Sequence, residues 1–433
     1  MPAKSLEFSH DRFPTLQWFS PMSSPSVTFS DIEQARNRIA DAVFSTPCAE
    51  SAALSDLCGS RIFCKLEYLQ RTGSFKERGA CNALESLSDL EKKRGVIAAS
   101  AGNHALALAF HGLRLGIPVT VVMPQFAPLI KQQRCRRKQA NVVLHGETFG
   151  EARAKADEIA AAEGLTYIHG FDDPRIIAGQ GTMGMEIAEQ VPDADAVIVP
   201  IGGAGLIAGV SLAIKHLRPD IEVIGVEANN APCYSAAVEA GQPVSVEMQP
   251  TLADGLAVGK VGANAFTITR AHIDRVVGVD EGPLALAVIR LMELEKSVVE
   301  GAGAAPLAAM LSGQLEHLAG KNVVLCLCGG NIDLTILHRL IETGMVADGR
   351  LVRFTATISD RPGGLARLTS LIAQTGASVQ DIAHDRAFAG PNVAAVNVLC
   401  TVETRDHQHI GELFQTLTSE GIPCWQSSPQ AVV

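Results

Sequence analysis

No Cys-x-x-Cys pair occurs among the ten cysteines, and their spacing follows no regular framework. That argues against a disulfide scaffold and predicts free thiols in a reducing cytoplasm. No apolar run reaches the roughly 18 residues of a membrane span, and no signal-peptide pattern opens the chain, so no membrane partner is expected. Basic blocks are equally scarce, and the net charge is −10. The densest, "KQQRCRRK" from Lys131 to Lys138, reads as the polar face of a helix, and no nucleic-acid partner is expected. Charged residues make up only 19% against 47% hydrophobic, which excludes wholesale disorder and leaves enough apolar matter for a large core. A length of 433 residues is room for about two to three domains.

What is present is an alternation. Nine short apolar runs ("RIFCKLEYL", "GVIAAS", "VTVVMP", "NVVLHG", "LTYIHG", "AVIVPIGG", "IEVIGVE", "RVVGVD" and "NVVLCLCGG") are separated by helical stretches such as "FGEARAKADEIAAAEG". Runs of this length that are apolar throughout predict parallel strands buried on both faces. Nine exceed one comfortable sheet, so an α/β body of two lobes is expected. "SDIE", with Ser30 three residues before Glu33, predicts a capping box opening a helix through Val43. Residues 1–26 read as a tail or arm, with Met22 an alternative start.

After about residue 350 the periodicity changes. "RFTATISD", "VQDIAHDR" and "AAVNVLCTVET" alternate, "GLARLTSLIAQTG" and "HIGELFQTLTSEG" are helical, and "IPCWQ" is a last short strand. That βαββαβ order predicts a ferredoxin-like module at 350–433. "ETGMVADGR", Glu342 to Arg350, is the expected linker.

Three stretches could carry chemistry. "VIVPIGGAGLIAG" ends a strand and opens a helix, where small residues let backbone N–H groups close on a phosphate. A tight strand–helix turn would need the same glycines. The cluster is not a dinucleotide fingerprint, because no acidic strand end follows at the usual ~20-residue offset. "IAASAGNHALALAF" puts Ser100, Gly102, Asn103 and His104 at a helix start suited to a carboxylate or phosphate, with plain N-capping as the alternative. "LCLCGG" places Cys326 and Cys328 on one face of a strand; without further ligands this is a poor zinc site and reads as buried thiol. "GSFKERGA" sets Lys76 behind Phe75 among turn and helix-start residues. A lysine able to form an imine, a phosphate cradle and an amide at a helix mouth together match what pyridoxal phosphate requires.

In this order "TGSFKERGA", "SAGNHA", "GGAGLIAG", "LADGLAVG", "VVEGAGAAPLAA" and "CGGNID" resemble the serine/threonine dehydratases, β-family (fold type II) pyridoxal-phosphate enzymes with a tryptophan-synthase-β-like body. The resemblance covers residues 27–345, and "SDRPGGLARLTSLI" resembles an ACT domain, the small amino-acid-sensing module. It implies that Lys76 is the imine-forming lysine, Phe75 lies beside the cofactor ring, and Asn103 bonds the ring's 3′-oxygen. Gly202, Gly203, Ala204, Gly205 and Leu206 match the phosphate loop, with Ala204 where a fourth glycine is common. Ser100, Ala101, Gly102 and His104 fall in the loop that receives the substrate carboxylate. Cys328 takes the position facing the pyridine nitrogen, where serine is more usual. A thiol or hydroxyl cannot stabilise a protonated pyridine as a carboxylate would, which favours elimination over transamination.

The resemblance thus implies a threonine ammonia-lyase that also accepts serine. Freed Lys76 removes the α-proton, the β-hydroxyl leaves, and hydrolysis gives 2-oxobutanoate and ammonia. Serine or hydroxyaspartate dehydration are the nearest alternatives; a β-replacing synthase, a dehydrogenase and a non-catalytic amino-acid sensor are further ones. Two departures stand out. Ala101 replaces the serine that racemase relatives use as a second base, which predicts a poor racemase. Glu227 and Ala231 keep a divalent-cation pattern that Cys233 breaks, so a metal site is left open. ACT resemblance implies a homodimer or homotetramer. A branched-chain amino acid effector, as in feedback on isoleucine biosynthesis, would suit the "SDRPGGL" turn, where free N–H groups start a helix.

Overall fold

All nine apolar runs are strands, divided between two parallel sheets. The computed structural model describes residues 26–385 and 394–426, so the expected N-terminal arm lies almost wholly outside the described residues. The larger sheet has six strands in the order Cys48–Ser51, Arg61–Lys65, Asn322–Cys326, Ala196–Pro200, Glu222–Ala228 and Arg275–Val279. Five run parallel; Cys48–Ser51 pairs antiparallel at the edge, with Cys48 opposite Lys65. The smaller sheet is all parallel, in the order Asn141–Leu144, Val119–Met123, Val96–Ala99 and Thr166–Tyr167.

For the central strands the reason is burial on both faces; the smaller sheet's outer strands Asn141–Leu144 and Thr166–Tyr167 have no fully buried residue, so the expected double burial fails at that sheet's edges. Every residue of Ala196–Pro200 and Val96–Ala99 is buried. Val197 and Val199 enter one core of the larger sheet while Ala196 and Ile198 enter the other, so both faces need apolar side chains. A third core around Ala98, Leu108 and Val121 serves the smaller lobe. In the large sheet, Asn322–Cys326 lies between Arg61–Lys65 and Ala196–Pro200, strands far apart in sequence. Loops leaving the carboxyl ends of such central strands open a crevice at the reversal of strand order.

Two local expectations are corrected. The first helix is Phe29–Ile39, capped by Thr28: Asp31 N–H donates to Thr28 Oγ1, and Thr28 N–H donates to Asp31 at 2.8 Å. Thr28/Asp31 has the same spacing as Ser30/Glu33, and the pair two residues earlier wins. The expected linker is largely helix, because Leu334–Ala347 runs through it and seats Gly344 against Ile289 and Ala285. Arg290 then pairs with Asp348, and Arg350 lies 2.5 Å from Glu293, just before the strand that begins at Leu351.

The last part has strands Leu351–Ser359, Ser378–Asp385, Ala395–Glu403 and Cys424–Gln426, with helices Gly364–Gln374 and His407–Ser419. Its antiparallel sheet has Leu351–Ser359 and Ala395–Glu403 in the centre, the former flanked by Cys424–Gln426 and the latter by Ser378–Asp385. This is the ferredoxin-like order. Val352, Phe354, Ala356 and Ile358 form a core with Leu368, Ile372, Leu413 and Leu417 of the two helices. Among the described residues no helix is long and apolar enough to cross a membrane.

Candidate active site

Lys76 opens the helix Lys76–Glu85, and the turn before it is tied to the end of the central strand. Phe75 N–H donates to Cys328 O at 3.0 Å, Gly330 N–H donates to Gly73 O at 3.0 Å, and Ser74 bridges Gly329. Gly73 has φ +77°, which favours glycine, and a Cβ there would lie 2.8 Å from Asn331 Oδ1, so a larger residue would also displace the Asn331 side chain. Behind the turn lies a buried ion cluster. Arg78 donates Nε and Nη2 to Glu67 at 2.8 and 2.7 Å, and Nη1 and Nη2 to Glu186 at 2.7 and 2.8 Å. Lys65, fully buried, joins Glu186 and donates to Thr46 O at 2.6 Å. Two residues past Lys76, this cluster fixes the helix to the sheet and to the helix Pro174–Gln190.

Lys76 is half-buried, and its amine donates to Gly170 O at 2.7 Å. Burial, opposed by the nearby Glu300 and Cys328, holds that amine down at about 8. A substantial neutral fraction near neutral pH is what a nucleophile or base needs. The amine lies 5.1 Å from the centre of the Phe75 ring. Cys328 is buried, its Sγ donates to Cys326 O at 3.1 Å, and burial raises its thiol well above the ordinary range. It is therefore a protonated, neutral neighbour.

Gly202 to Leu206 follow the buried strand Ala196–Pro200 and open the helix Gly205–Leu217. Ala204 sits at φ +68°, left-handed backbone that glycine adopts more readily. The N–H of Ala208 bonds Ala204 O at 2.9 Å; those ahead of it at the helix start lack an intrahelical acceptor and face the N-terminal positive potential. Phe171 lies beneath this loop so closely that a Cβ on Gly203 would fall 2.3 Å from its ring, and one on Gly205 2.1 Å from its carbonyl.

Asn103 begins the helix Asn103–Leu115. Its Nδ2 donates to Glu300 Oε1 at 2.8 Å, and its Oδ1 accepts from Asn331 Nδ2 at 2.9 Å. Burial first, then Asp254, raises Glu300 to about 7. His104 is buried, with Nε2 3.1 Å from Ile168 O and Nδ1 unpartnered; burial first, then Lys76, lowers it to about 3, so it is a neutral ring. Ser100 and Ala101 are half-buried and Gly102 exposed, with Gly102 N–H on Ser100 Oγ at 3.3 Å. No hydrogen bond joins these three to Lys76.

Sequence reasoning missed the piece that joins the rest. The segment Ile168–Asp173 supplies the carbonyls that meet His104 and Lys76, and the ring under the glycine loop. A main-chain carbonyl leaves no residue-type signal. Glu300 and Asn331 lie inside recognised motifs without having been singled out. The basic helix Leu129–Arg137 also does more than face solvent: Lys131 reaches Asp254 at 3.1 Å and Arg134 reaches Asn331 at 3.1 Å. Glu227, from the broken cation pattern, accepts from the N–H groups of Tyr234 and Ser235 at 3.0 and 3.2 Å, while Cys233 Sγ points at Gly202 O. Among the described residues no group of three His, Cys, Asp or Glu is arranged to hold a metal.

The donor set fits pyridoxal phosphate: a desolvated amine, free N–H groups at a helix start, and an unpartnered buried hydroxyl, Ser74 Oγ, one residue before Phe75. A family model described as "Pyridoxal-phosphate dependent enzyme" matches residues 39–329. The chain is 42% identical to an L-threonine ammonia-lyase of Thermotoga maritima, over 91% of this chain and 98% of that protein. It is 44% identical to the catabolic L-threonine dehydratase TdcB of Escherichia coli K12, over 74% of this chain and 97% of that one. Among solved structures it is similar to the processed form of threonine deaminase isoform 2 from Solanum lycopersicum, with TM-score 0.68 and 36% identity, covering 74% of this chain and 95% of that one.

Proposed function

The chain belongs to the pyridoxal-phosphate-dependent enzyme family, and we propose that it is an L-threonine ammonia-lyase that also accepts L-serine. The observation that carries this is the half-buried Lys76 amine, held near 8 against Gly170 O in a body so similar to threonine ammonia-lyases. In this reading Lys76 is the covalent anchor for the cofactor's aldehyde and Phe75 flanks its ring. The N–H groups from Gly202, Gly203, Ala204, Gly205 and Leu206 receive its phosphate. Asn103 meets the ring's 3′-oxygen and Cys328 its nitrogen. Ser100, Ala101, Gly102 and His104 form the loop that takes the substrate carboxylate at the start of their helix.

When bound, pyridoxal phosphate supplies the electron sink for charge developing at the substrate's Cα. The chain's own work is positional and acid–base. Neutral Lys76 Nζ accepts the Cα proton, and Gly170 O aims that amine. Loss of the β-hydroxyl as water and release of the enamine are followed by its hydrolysis to 2-oxobutanoate and ammonia. Neutral His104 leaves the loop's N–H groups as the donors to the carboxylate. Cys328, staying protonated, adds no charge at the ring nitrogen.

The C-terminal ferredoxin-like unit supports a second assignment, an ACT domain that senses a branched-chain amino acid. Gly363, with φ +94°, and Gly364 start its first helix with nothing within 4 Å of a Cβ on Gly363, a backbone open to a ligand. The T. maritima match takes in 98% of that protein using 91% of this chain, so it extends into this unit. We place the enzyme in the cytoplasm as a homodimer or homotetramer joined in part through this unit. Incubation with L-threonine should yield 2-oxobutanoate and ammonia in equal amounts. No keto acid from threonine, serine or hydroxyaspartate would refute the enzyme reading.

A further inference from the structure

His169 sits one residue before the carbonyl that meets Lys76, and its Nδ1 accepts two main-chain N–H groups, from Phe171 at 3.3 Å and Asp172 at 3.0 Å. Both neighbours are donors, so Nδ1 must carry the lone pair and the ring must be neutral. The N–H of Phe171 and the carbonyl of Gly170 belong to one peptide unit, and in a trans peptide they point in opposite directions. A single peptide plane therefore runs from His169 Nδ1 through Phe171 N–H and Gly170 C=O to Lys76 Nζ, 2.7 Å away. Hydrogen bonds in such a series polarise one another. The same segment is pinned on its far side by Asp172, whose carboxylate accepts from Ala263 and Ala265 N–H at 3.0 Å each.

We propose that His169 is a positioning residue of the reaction: its neutral imidazole orients the Gly170–Phe171 peptide so that the carbonyl aims the Lys76 amine, and protonation of the ring undoes that orientation. The inference rests on Lys76 being the working amine. The half-buried ring is met edge-on by Phe171, at 4.5 Å between centroids, and at a tilt by Tyr167 at 6.3 Å. The charged and titratable groups facing it are Arg153 from the helix Phe149–Glu163, Asp172 and Asp173 from its own segment, Lys76, and the neutral His104 from the helix Asn103–Leu115. Burial first, then Arg153, holds the imidazole below its ordinary value, so the neutral ring prevails at neutral pH. As pH falls through the ring's titration, Nδ1 gains a proton, can no longer accept from Phe171 and Asp172, and the peptide is free to turn.

The test compares the full-length holoenzyme with His169→Asn, whose Oδ1 can stand where Nδ1 stands but does not titrate, and with His169→Leu, which removes the acceptor. Two readouts are taken across pH: kcat and KM for L-threonine, and the visible absorbance of the bound cofactor. His169→Leu is expected to lower kcat by about tenfold to a hundredfold, the scale of a misaimed group, with KM changed less than threefold. It should also shift the pH titration of the visible band. His169→Asn is expected to recover most of the lost kcat and to keep the acid limb that Lys76, held at about 8, imposes, while losing the further fall that the wild type shows below the ordinary imidazole range. A further fall below the imidazole range retained in His169→Asn, or a His169→Leu enzyme with wild-type kcat and titration, would overturn the proposal. Should His169→Leu fail to fold, the presence or absence of that further fall in His169→Asn decides. A wild type with neither visible band nor turnover would instead count against Lys76 as the working amine, which separates the two failures.

Discussion

The catalytic body and the C-terminal unit bury their sheets in opposite ways. Strands such as Ala196–Pro200 are covered on both faces, whereas Leu351–Ser359 alternates, with Val352, Phe354, Ala356 and Ile358 inside and Arg353 and Ser359 exposed. The outer strand Ser378–Asp385 has no fully buried residue, a feature that the body shows only at the edges of its smaller sheet, in Asn141–Leu144 and Thr166–Tyr167. A doubly covered sheet is finished within one chain, and its chemistry collects where loops leave the strand ends. A singly covered sheet keeps a face and an edge on offer, which suits assembly and sensing. The body should accordingly work alone, while the C-terminal unit should matter only through a ligand or a second copy.

The sharpest break would come from Lys76→Ala. Removing the amine from an otherwise intact body should lower threonine turnover about 10³-fold or more, from the loss of the base and the covalent anchor together. Keto-acid release is the measurement, and near-normal turnover would detach the chemistry from this cleft. Next is Arg78→Leu, which leaves Glu67 fully buried without its charged partner and Glu186 with Lys65 alone. A cost of about 3–5 kcal/mol is expected, read as a lower denaturant midpoint. A smaller effect follows from cutting after Ala347, which keeps the helix packed on Ile289. The truncated protein should keep its cofactor absorbance and basal rate but lose any isoleucine or valine response, typically ~1–3 kcal/mol of coupling. Loss of cofactor binding on truncation would show that the body is not finished alone. Least is Ala204→Gly, which relieves a left-handed alanine and should stabilise by about 1 kcal/mol at most, since glycine also gains freedom when unfolded.

What the sequence made legible follows the same division. Doubly buried central strands announce themselves as apolar runs, and the same signal marked Asn141–Leu144 and Thr166–Tyr167 as strands although neither has a fully buried residue. The strand missed, Cys48–Ser51, is short and polar, an antiparallel edge with only Ser51 buried. Gly73, three residues before Lys76, and the Gly202–Leu206 turn stand out because backbone geometry restricts residue type there. Gly170 O and the His169 staple do not, since any residue carries a carbonyl and a lone histidine fits many settings. Glu300 and Asn331 escaped because an amide–carboxylate chain is assembled from three distant segments. The cap at Thr28 was displaced because two pairs with equal spacing overlap by two residues.

The central claim is that one lysine, Lys76, carries the cofactor. Borohydride treatment of the holoenzyme followed by peptide mass measurement tests it most directly. The account predicts one pyridoxyl group per chain, on the peptide containing Lys76; a group on any other lysine, or none on a protein that still turns over threonine, would contradict it.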